Sequence, residues 1–255
     1  MPDQVSFIVG GAQKGGTTAL DRYLREHPEL CMPRPTMVGT HSSGEVHFFD
    51  TDANFAVEPV DYTAYHARFE PHPPQRLLGE VTPSYMFWPG AIERIARYNP
   101  AMKLIFQLRN PVTRAFSQWN MARQAHREPL SFMEALRAEP ERLRNLPPRR
   151  ARRFSYVERG FYASQLQRVW QSFPVAQTLV LRSEELLGQP AEVLARLASF
   201  LGIAPFPSVG EKTVHAREYD TTMSADEKQY LIGVYEQDIL ELERLLGWDC
   251  AAWLR

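Results

Sequence analysis

The stretch that decides the fold is Phe7-Ile8-Val9-Gly10-Gly11-Ala12-Gln13-Lys14-Gly15-Gly16-Thr17-Thr18. A short apolar run breaks into glycines, one lysine and two threonines, and apolar residues at helical spacing follow through Leu20 and Leu24. This pattern predicts a strand, a phosphate-binding loop and a helix. The glycines let backbone N–H groups surround an anion, the helix presents its positive end to it, and the lysine adds a full charge. The alternative is a glycine-rich turn with a solvated lysine.

The loop is not a standard Walker A motif. That motif, G-x-x-x-x-G-K-[ST], would have lysine where Gly16 stands, and the lysine of this chain is Lys14 instead. A lysine inside the loop suits a site that reaches a 5′-phosphate and its leaving bond. It suits less well a site that spans β- and γ-phosphates with magnesium.

Length and composition are typical of one globular α/β domain spanning residues 1–255. Of the 255 residues, 44% are hydrophobic and 23% are charged, and the net charge is −1. A nearly neutral chain has no overall field that attracts nucleic acid, so no nucleic-acid partner is expected. There is no signal-peptide pattern and no apolar run of about 18 residues, so we expect a cytoplasmic protein without a transmembrane segment. Cys31 and Cys250 are expected to be free thiols in a reducing compartment.

A second candidate group is Glu45-Val46-His47-Phe48-Phe49-Asp50, which follows a predicted flexible loop over residues 36–44. If the segment is extended, Glu45 and His47 point to the same face, because side chains alternate along a strand. A carboxylate and an imidazole side by side are suited to general acid–base chemistry. The alternative is a surface pair that flanks a hydrophobic strand. Asp50 is expected to cap a turn.

A second anion site is predicted after a buried strand at residues 103–109. Asn110 is a good N-cap and Pro111 a good first helical residue, so a helix should begin directly behind Arg109. Ser117 falls on the same face of that helix as Asn110. Strand end, arginine and helix N-terminus together favour anion binding. The alternative is an arginine paired with a surface carboxylate and a serine that faces solvent.

Residues 127–155 differ in composition from the rest of the chain and are predicted to form a mobile, polar insertion. The part at residues 142–153 contains six arginines around two prolines. Charge runs of this kind are usually solvated, and the alternative is a role in gripping an acidic acceptor. Helices are predicted at residues 190–201 and after a capping box formed by Ser224 and Glu227.

Five motifs occur in order along the chain. They are Gly11-Ala12-Gln13-Lys14-Gly15-Gly16-Thr17-Thr18, Glu45-Val46-His47-Phe48-Phe49-Asp50, Glu80-Val81-Thr82-Pro83-Ser84-Tyr85, Leu108-Arg109-Asn110-Pro111 with Arg114 and Ser117, and Arg159-Gly160-Phe161-Tyr162. Together they resemble the sulfotransferases that use 3′-phosphoadenylyl sulfate (PAPS), in the branch of the heparan sulfate N- and 3-O-sulfotransferases and their bacterial relatives. The resemblance extends from the first predicted strand to the C-terminus.

The resemblance implies a P-loop-like α/β fold, in which a central parallel sheet is flanked by helices, and PAPS as co-substrate without a metal. In the family, the first loop binds the 5′-phosphosulfate, which here implies Lys14, Gly15, Gly16, Thr17 and Thr18. The 3′-phosphate is bound by an arginine and a serine, which implies Arg109 and Ser117. A C-terminal loop closes over the nucleotide, and Lys212 and Arg217 are the candidates for it.

The resemblance also implies catalytic roles. Glu45 would remove the acceptor proton, and Lys14 would stabilise charge on the bridging oxygen of the leaving nucleotide. His47 would orient Glu45 or the acceptor. The alternative makes His47 the base, because an unperturbed histidine pKa of about 6.5 suits neutral pH. Glu45 is preferred, since it occupies the position of the family's base.

Two other functions are weighed against sulfuryl transfer: a P-loop kinase or NTPase, and a nucleotide-binding protein without transferase activity. The carboxylate that would hold magnesium at the end of the strand at residues 103–109 is replaced by Arg109-Asn110. This replacement argues against the kinase or NTPase.

The acceptor is expected to be a carbohydrate or a small molecule such as a natural product, sulfated on a hydroxyl or an amine. The heparan sulfate enzymes commonly have lysine where Val81 stands, and the 3-O branch has arginine where Gln13 stands. Both differences remove positive charge near the acceptor, which argues against a glycosaminoglycan. Tyr85, Phe87 and Trp88 either line a pocket for an apolar or phenolic molecule or pack in the core.

Overall fold

The computed structural model describes residues 4–38, 41–207, 219 and 221–255. The described chain divides into two compact units. The first comprises the described parts of Met1–Leu108 and Arg168–Val214, and the second comprises those of Arg109–Gln167 and His215–Arg255. Within these described residues, no helix combines the length and the apolar composition needed to cross a membrane.

Strands and helices follow one another along the described chain. The strands are β1 (Val5–Gly11), β2 (Leu30–Cys31), β3 (Thr36–Val38), β4 (His41–Ser43), β5 (Leu77–Val81), β6 (Lys103–Leu108) and β7 (Thr178–Arg182). The helices are α1 (Thr17–Glu26), α2 (Thr63–His66), α3 (Ala91–Tyr98), α4 (Pro111–Gln124), α5 (Phe132–Asn145), α6 (Pro148–Ala151), α7 (Tyr162–Ser172), α8 (Ser183–Gly188), α9 (Pro190–Leu201) and α10 (Ala225–Leu246). This alternation is typical of an α/β protein.

The first unit is built on a five-stranded parallel sheet with the strand order β2-β5-β1-β6-β7. β1 lies at its centre, where Phe7 is opposite Gly79 of β5 and Lys103 of β6. The apolar side chains of β1 from Val5 to Val9 are buried, as expected for a central strand that is covered on both faces. The predicted fold class, a central parallel sheet flanked by helices, is confirmed.

One hydrophobic core joins β1 to the helices α1 and α9. α1 contributes Leu20 and Leu24, and α9 contributes Val193 and Leu197, all of them buried. The spacing of four residues places each pair on one helix face. The predicted helix at residues 190–201 is therefore confirmed.

The structure differs from the predictions in two segments before β5. The flexible loop predicted at residues 36–44 contains an antiparallel pair of strands, β3 and β4. The extended conformation considered for residues 45–50 is not observed: the segment is irregular, and His47 has a φ of 55° in the left-handed region. The backbone N–H groups of Val46 and Phe48 donate to side chains rather than to a neighbouring strand, which accounts for the difference.

The second unit contains α4, α5, α6 and α10. The predicted start of α4 is confirmed, because the side chain of Asn110 accepts a hydrogen bond from the backbone N–H of Val112 and Pro111 is the first helical residue. The predicted capping box is also present at the start of α10. There Ser224 and Glu227 each bond to the other's backbone N–H group.

The segment at residues 127–155 is folded rather than irregular, since it contains α5 and α6. Two buried carboxylates hold it together. Glu128 accepts hydrogen bonds from the guanidinium of Arg142, and Glu139 accepts from the two backbone N–H groups at residues 157–158. Composition alone predicted a mobile segment because it does not show that an arginine of the cluster has an internal partner.

Candidate active site

The predicted phosphate loop, residues 12–16, connects β1 to α1. Backbone hydrogen bonds fix it: the N–H of Ala12 donates to the carbonyl of Gln107 (2.9 Å), and the N–H of Gly15 donates to the carbonyl of Ala12 (2.8 Å). Lys14 lies between these two bonds with a φ of 67°. The first N–H groups of a helix have no partner within the helix, and those of α1 follow directly on this loop. The loop thus has the local structure that anion binding requires.

Glycine is required at two positions of the loop. A Cβ on Gly15 would lie 2.3 Å from the carbonyl oxygen of Gln107 and 2.8 Å from that of Ala12. Gly16 is the N-cap of α1 with a φ of 89°, and a Cβ there would lie 3.0 Å from Nε2 of Gln107. The second position is the one that the Walker A motif gives to lysine. The backbone of this chain leaves no place for a lysine there.

The phosphate loop shares one edge of the sheet with the end of β5. The N–H of Thr82 donates to the carbonyl of Val9 (3.0 Å), and the N–H of Met86 donates to the carbonyl of Gly10 (2.8 Å). The chain that leaves β5 therefore runs beside the chain that leaves β1. In open α/β sheets, ligands bind outside the carboxyl ends of the strands.

Three side chains form a hydrogen-bonded cluster, which we call the acid–base cluster: Glu45, His47 and Asp50. Nε2 of His47 lies 2.9 Å from Oε2 of Glu45, and Nδ1 lies 2.9 Å from Oδ2 of Asp50. Ser84, on the segment after β5, donates through Oγ to the same oxygen of Asp50 (2.5 Å). Glu45 and His47 are together as predicted, although the segment is not a strand. Asp50 was missed as a member, and its three-residue spacing from His47 was the available signal.

Exposure and charge differ within the acid–base cluster. Asp50 is buried, whereas the side chains of Glu45 and His47 are 41% and 38% exposed. Burial opposes a charge on His47, but hydrogen bonds to Asp50 and Glu45 outweigh it and raise the pKa of His47 to about 9. The imidazole is therefore protonated at neutral pH, and both of its nitrogens donate. A protonated imidazole can orient a carboxylate, but it has no lone pair for a further proton.

The aromatic residues after β5 divide between core and surface. Tyr85 and Trp88 are buried, and the ring of Tyr85 packs edge-on against Phe49. Phe87 is partly exposed. Of the two alternatives weighed for these residues, core packing is therefore correct for Tyr85 and Trp88, and a ligand pocket lined by those two is wrong.

The second predicted anion site lies in the second unit. Arg109 donates through Nε to Oγ1 of Thr113 (3.0 Å), and its backbone carbonyl accepts a hydrogen bond from the hydroxyl of Tyr162 (2.9 Å). Ser117 is buried, with its hydroxyl 2.7 Å from that of Tyr219. In the parts of the chain that the structure describes, Arg109 forms no ion pair with a carboxylate. The alternatives of a surface ion pair and a solvent-facing serine are therefore not observed.

Two candidates for nucleotide binding come from the C-terminal part of the chain. Lys212 and Arg217 lie outside the described residues, so their roles stay predictions. Tyr219 is described, and its ring packs edge-on against Phe116 of α4. The contact of Tyr219 with Ser117 was missed, because a tyrosine in a segment without periodicity gives no sequence signal.

Comparison with known proteins shows which family and which solved structure this chain is similar to. The model of the Sulfotransferase family matches residues 6–208. The solved structure of a sulfotransferase from Alicyclobacillus acidocaldarius is 31% identical in sequence, with a TM-score of 0.81 and coverage of 99% of both chains. The likeness thus extends over nearly the whole of both proteins.

Two human proteins are also similar. Bifunctional heparan sulfate N-deacetylase/N-sulfotransferase 3 is 28% identical over 282 residues, which cover 98% of this chain and 31% of that protein. Heparan sulfate glucosamine 3-O-sulfotransferase 3B1 is 32% identical over 200 residues, which cover 77% of this chain and 45% of that protein. The chain spans less than half the length of either relative.

Proposed function

Because the chain belongs to the sulfotransferase family, we propose that it transfers a sulfuryl group from PAPS to a hydroxyl or amine of a carbohydrate or small-molecule acceptor. One observation carries the proposal: the phosphate loop after β1 and the chain that leaves β5 run along one edge of the sheet, and the acid–base cluster is bonded to that chain through Ser84. An anion site and a proton acceptor at one edge are the two parts that such a transfer needs.

The phosphate loop fits a 5′-phosphosulfate. Gly15 stands where a Cβ would clash with the backbone carbonyl of Gln107, so the loop packs closely on β6. Its backbone N–H groups lead directly into the N-terminus of α1, which favours an anion. Bound PAPS would supply an electrophilic sulfur with a phosphate oxygen as leaving group. Lys14 would stabilise the charge that develops on that bridging oxygen, and the hydroxyls of Thr17 and Thr18 would hold the remaining oxygens.

Glu45 is the proposed base. The acceptor oxygen or nitrogen forms its bond to sulfur as the bond from sulfur to the bridging oxygen breaks, and the acceptor proton passes to Glu45. His47 is the alternative, but with its pKa raised to about 9 it already carries its second proton at neutral pH. His47 would instead orient Glu45 and offset its charge before the proton arrives.

The second unit is proposed to bind the 3′-phosphate through Arg109 and Ser117. The backbone of Arg109 is held by Tyr162, and its Nε by Thr113, so the guanidinium is anchored on one side. Guanidinium and hydroxyl groups are well suited to phosphate oxygens. Lys212 and Arg217 are proposed to close over the nucleotide.

The proposed acceptor class follows from the relatives and from two uncharged residues. The two human relatives are named as enzymes of heparan sulfate, a carbohydrate. Val81 stands where the heparan sulfate enzymes commonly have lysine, and Gln13 stands where the 3-O branch has arginine, which favours an acceptor other than a glycosaminoglycan. We further propose a reducing, cytoplasmic setting, in keeping with the free and buried thiols of Cys31 and Cys250.

Thermal shift with two ligands tests the donor site. Adenosine 3′,5′-bisphosphate without metal should stabilise the protein, by roughly 2.7 kcal/mol at a hundred times its Kd. ATP with magnesium should have a weaker effect. Stabilisation by ATP with magnesium alone would contradict the proposal and favour the kinase or NTPase.

Glu45→Gln tests catalysis separately from binding. We expect the bisphosphate to bind as before while turnover falls by on the order of a hundredfold or more. An unchanged rate would show that Glu45 is not the base. Bisphosphate binding without sulfuryl transfer to any acceptor by the wild type would favour a non-catalytic nucleotide-binding protein.

A further inference from the structure

Glu80, in β5, is a fully buried carboxylate surrounded by hydroxyl groups. It accepts hydrogen bonds from the hydroxyls of Tyr65 (2.7 Å), Thr82 (2.7 Å) and Tyr85 (3.2 Å). A carboxylate is tolerated in the interior only when its oxygens are hydrogen-bonded, and these three donors meet that requirement. The transfer step proposed above gives no role to any of these four residues.

Two of the three hydroxyls also bond to the segment that carries the acid–base cluster. Oγ1 of Thr82 accepts a hydrogen bond from the backbone N–H of Val46 (3.1 Å). Oη of Tyr85 accepts one from the backbone N–H of Phe48 (3.0 Å). Oη of Tyr85 also accepts a longer bond from the backbone N–H of Phe49 (3.5 Å). The two hydroxyls thus connect a buried carboxylate to the backbone of the segment, and the bonds at Val46 and Phe48 are the two shorter ones.

These two bonds lie on either side of His47. Its φ of 55° is in the left-handed region, which residues with a Cβ adopt uncommonly. The bonds at Val46 and Phe48 fix the backbone before and after it, and therefore the direction in which the imidazole leaves the chain. In that direction its two nitrogens meet Glu45 and Asp50.

The ionised state of Glu80 sets the direction of the hydrogen bonds. A carboxylate can only accept, so Thr82 and Tyr85 donate their single protons to it and offer lone pairs to the backbone N–H groups. A protonated carboxyl group could donate to a hydroxyl instead. Burial raises the pKa of Glu80 to about 7. The hydrogen bonds from Thr82, Tyr65 and Tyr85 and the charge of His47 each lower this pKa, but burial outweighs them. The titratable groups near Glu80 are three tyrosines, Tyr65, Tyr85 and Tyr98, and that histidine.

We propose that Glu80 is a positioning residue for the acid–base cluster and acts through the hydroxyls of Thr82 and Tyr85 on the backbone at both sides of His47. For its effect on turnover, the inference rests on the proposed function. For its effect on His47 it does not, because the titration of an imidazole can be followed without substrate.

Phenylalanine variants at Tyr85 and Tyr65 are a matched pair. Each removes one hydroxyl from Glu80, and only Tyr85→Phe also removes a bond to the segment of the acid–base cluster. In Tyr85→Phe we expect kcat to fall roughly tenfold to a hundredfold, because a misplaced base reacts poorly. The KM for PAPS and the thermal shift with adenosine 3′,5′-bisphosphate should not change. Tyr65→Phe should lower kcat less than Tyr85→Phe does, because it leaves both bonds to the segment in place.

The imidazole NMR signals of His47 give the second readout, with a His47→Gln sample for assignment. In Tyr85→Phe the pKa of His47 should fall from about 9 toward its usual 6.5, since the imidazole is no longer held against two carboxylates. In Tyr65→Phe it should stay closer to the wild-type value, because both bonds to the segment remain. Glu80→Gln tests the carboxylate itself: it should lower the pKa of His47 as Tyr85→Phe does, because an amide accepts through one oxygen only, and a merely structural role for Glu80 would leave that pKa unchanged.

Thr82 provides a second pair with a conservative rescue. Thr82→Val should reproduce the changes of Tyr85→Phe, and Thr82→Ser, which keeps the hydroxyl, should restore both kcat and the pKa of His47. Wild-type values in Tyr85→Phe, or equal losses in Tyr65→Phe, would overturn the positioning role. If no acceptor supports turnover, the proposed function fails, and the titration of His47 in Glu80→Gln and the hydroxyl variants still decides the role of Glu80.

Discussion

Gly15→Ala places a methyl group where two carbonyl oxygens already stand. The new Cβ would lie 2.3 Å from the oxygen of Gln107 and 2.8 Å from that of Ala12, and ordinary contact begins at 3.4 Å. The loop must therefore shift by about 1 Å to accept the methyl group. Neither oxygen can rotate away, because both belong to the backbone and the carbonyl of Gln107 accepts the N–H of Ala12.

The size of the effect follows from that displacement. Overpacking of a rigid site costs about 1–3 kcal/mol. If the bisphosphate needs the original loop geometry, this cost is taken from its binding free energy, and each step of about 1.4 kcal/mol raises the Kd tenfold. We therefore expect the Kd for adenosine 3′,5′-bisphosphate to rise by roughly tenfold to a hundredfold while the protein remains folded.

Calorimetric titration with the bisphosphate measures the Kd, and urea denaturation measures the free energy of unfolding. Gly188→Ala is the control, because nothing lies within 4 Å of a Cβ at Gly188. That variant should bind the bisphosphate like the wild type and be equally stable or slightly more so. Wild-type affinity in Gly15→Ala would refute the steric argument for the loop.

Three further predictions concern the acid–base cluster and the buried carboxylate beneath it. Asp50→Asn removes one of two carboxylates that keep the proton on His47, so the pKa of His47 should fall from about 9 toward 6.5. Since the imidazolium is lost as pH rises through its pKa, the alkaline limb of the pH–rate profile should move to lower pH, and an unchanged limb would count against this role of Asp50. The pKa of Glu80 is raised from 4.5 in the unfolded chain to about 7 in the folded protein. Protonated Glu80 therefore contributes fully to the free energy of unfolding below pH 4.5, and this contribution is lost as the pH rises through about 7. Relative to Glu80→Gln, the unfolding free energy of the wild type in urea should fall by on the order of 2 kcal/mol between pH 5 and pH 8, and a constant difference would contradict the raised pKa. The double variant Glu45→Gln/His47→Gln should lose no more turnover than the worse single variant, and additive losses would show that the two side chains act separately.

Local signals predicted the parts of the site that are built from consecutive residues. The apolar run, the glycines and the helical spacing of residues 7–24 are enough to predict a strand, loop and helix. Asn110 and Pro111 likewise predict where α4 begins, because an N-cap and a first-turn proline act within one helical turn. The physical causes in both cases lie within a few residues of their effects.

The conformation of the acid–base cluster could not be predicted in this way. The side-chain directions expected at residues 45–50 assumed an extended backbone, but the backbone there is set by the hydroxyls of Thr82 and Tyr85, which are distant in sequence. Nothing in the pattern around Glu80 shows that this carboxylate is buried among hydroxyls. Composition misled in a similar way at residues 127–155, because the internal partners of its charges are visible only in three dimensions.

Glu45 and His47 cannot act as independent proton acceptors. Both nitrogens of His47 lie 2.9 Å from a carboxylate oxygen, so the imidazole could become a base only after passing a proton to Glu45 or Asp50. If the acceptor proton then went to His47, the cluster would hold the same number of protons as when Glu45 takes it directly. The two routes differ only in an internal transfer between atoms that already share a hydrogen bond, and titrations of such pairs belong to the pair rather than to either group. The question of which residue is the base thus becomes a question of which atom of the pair faces the acceptor.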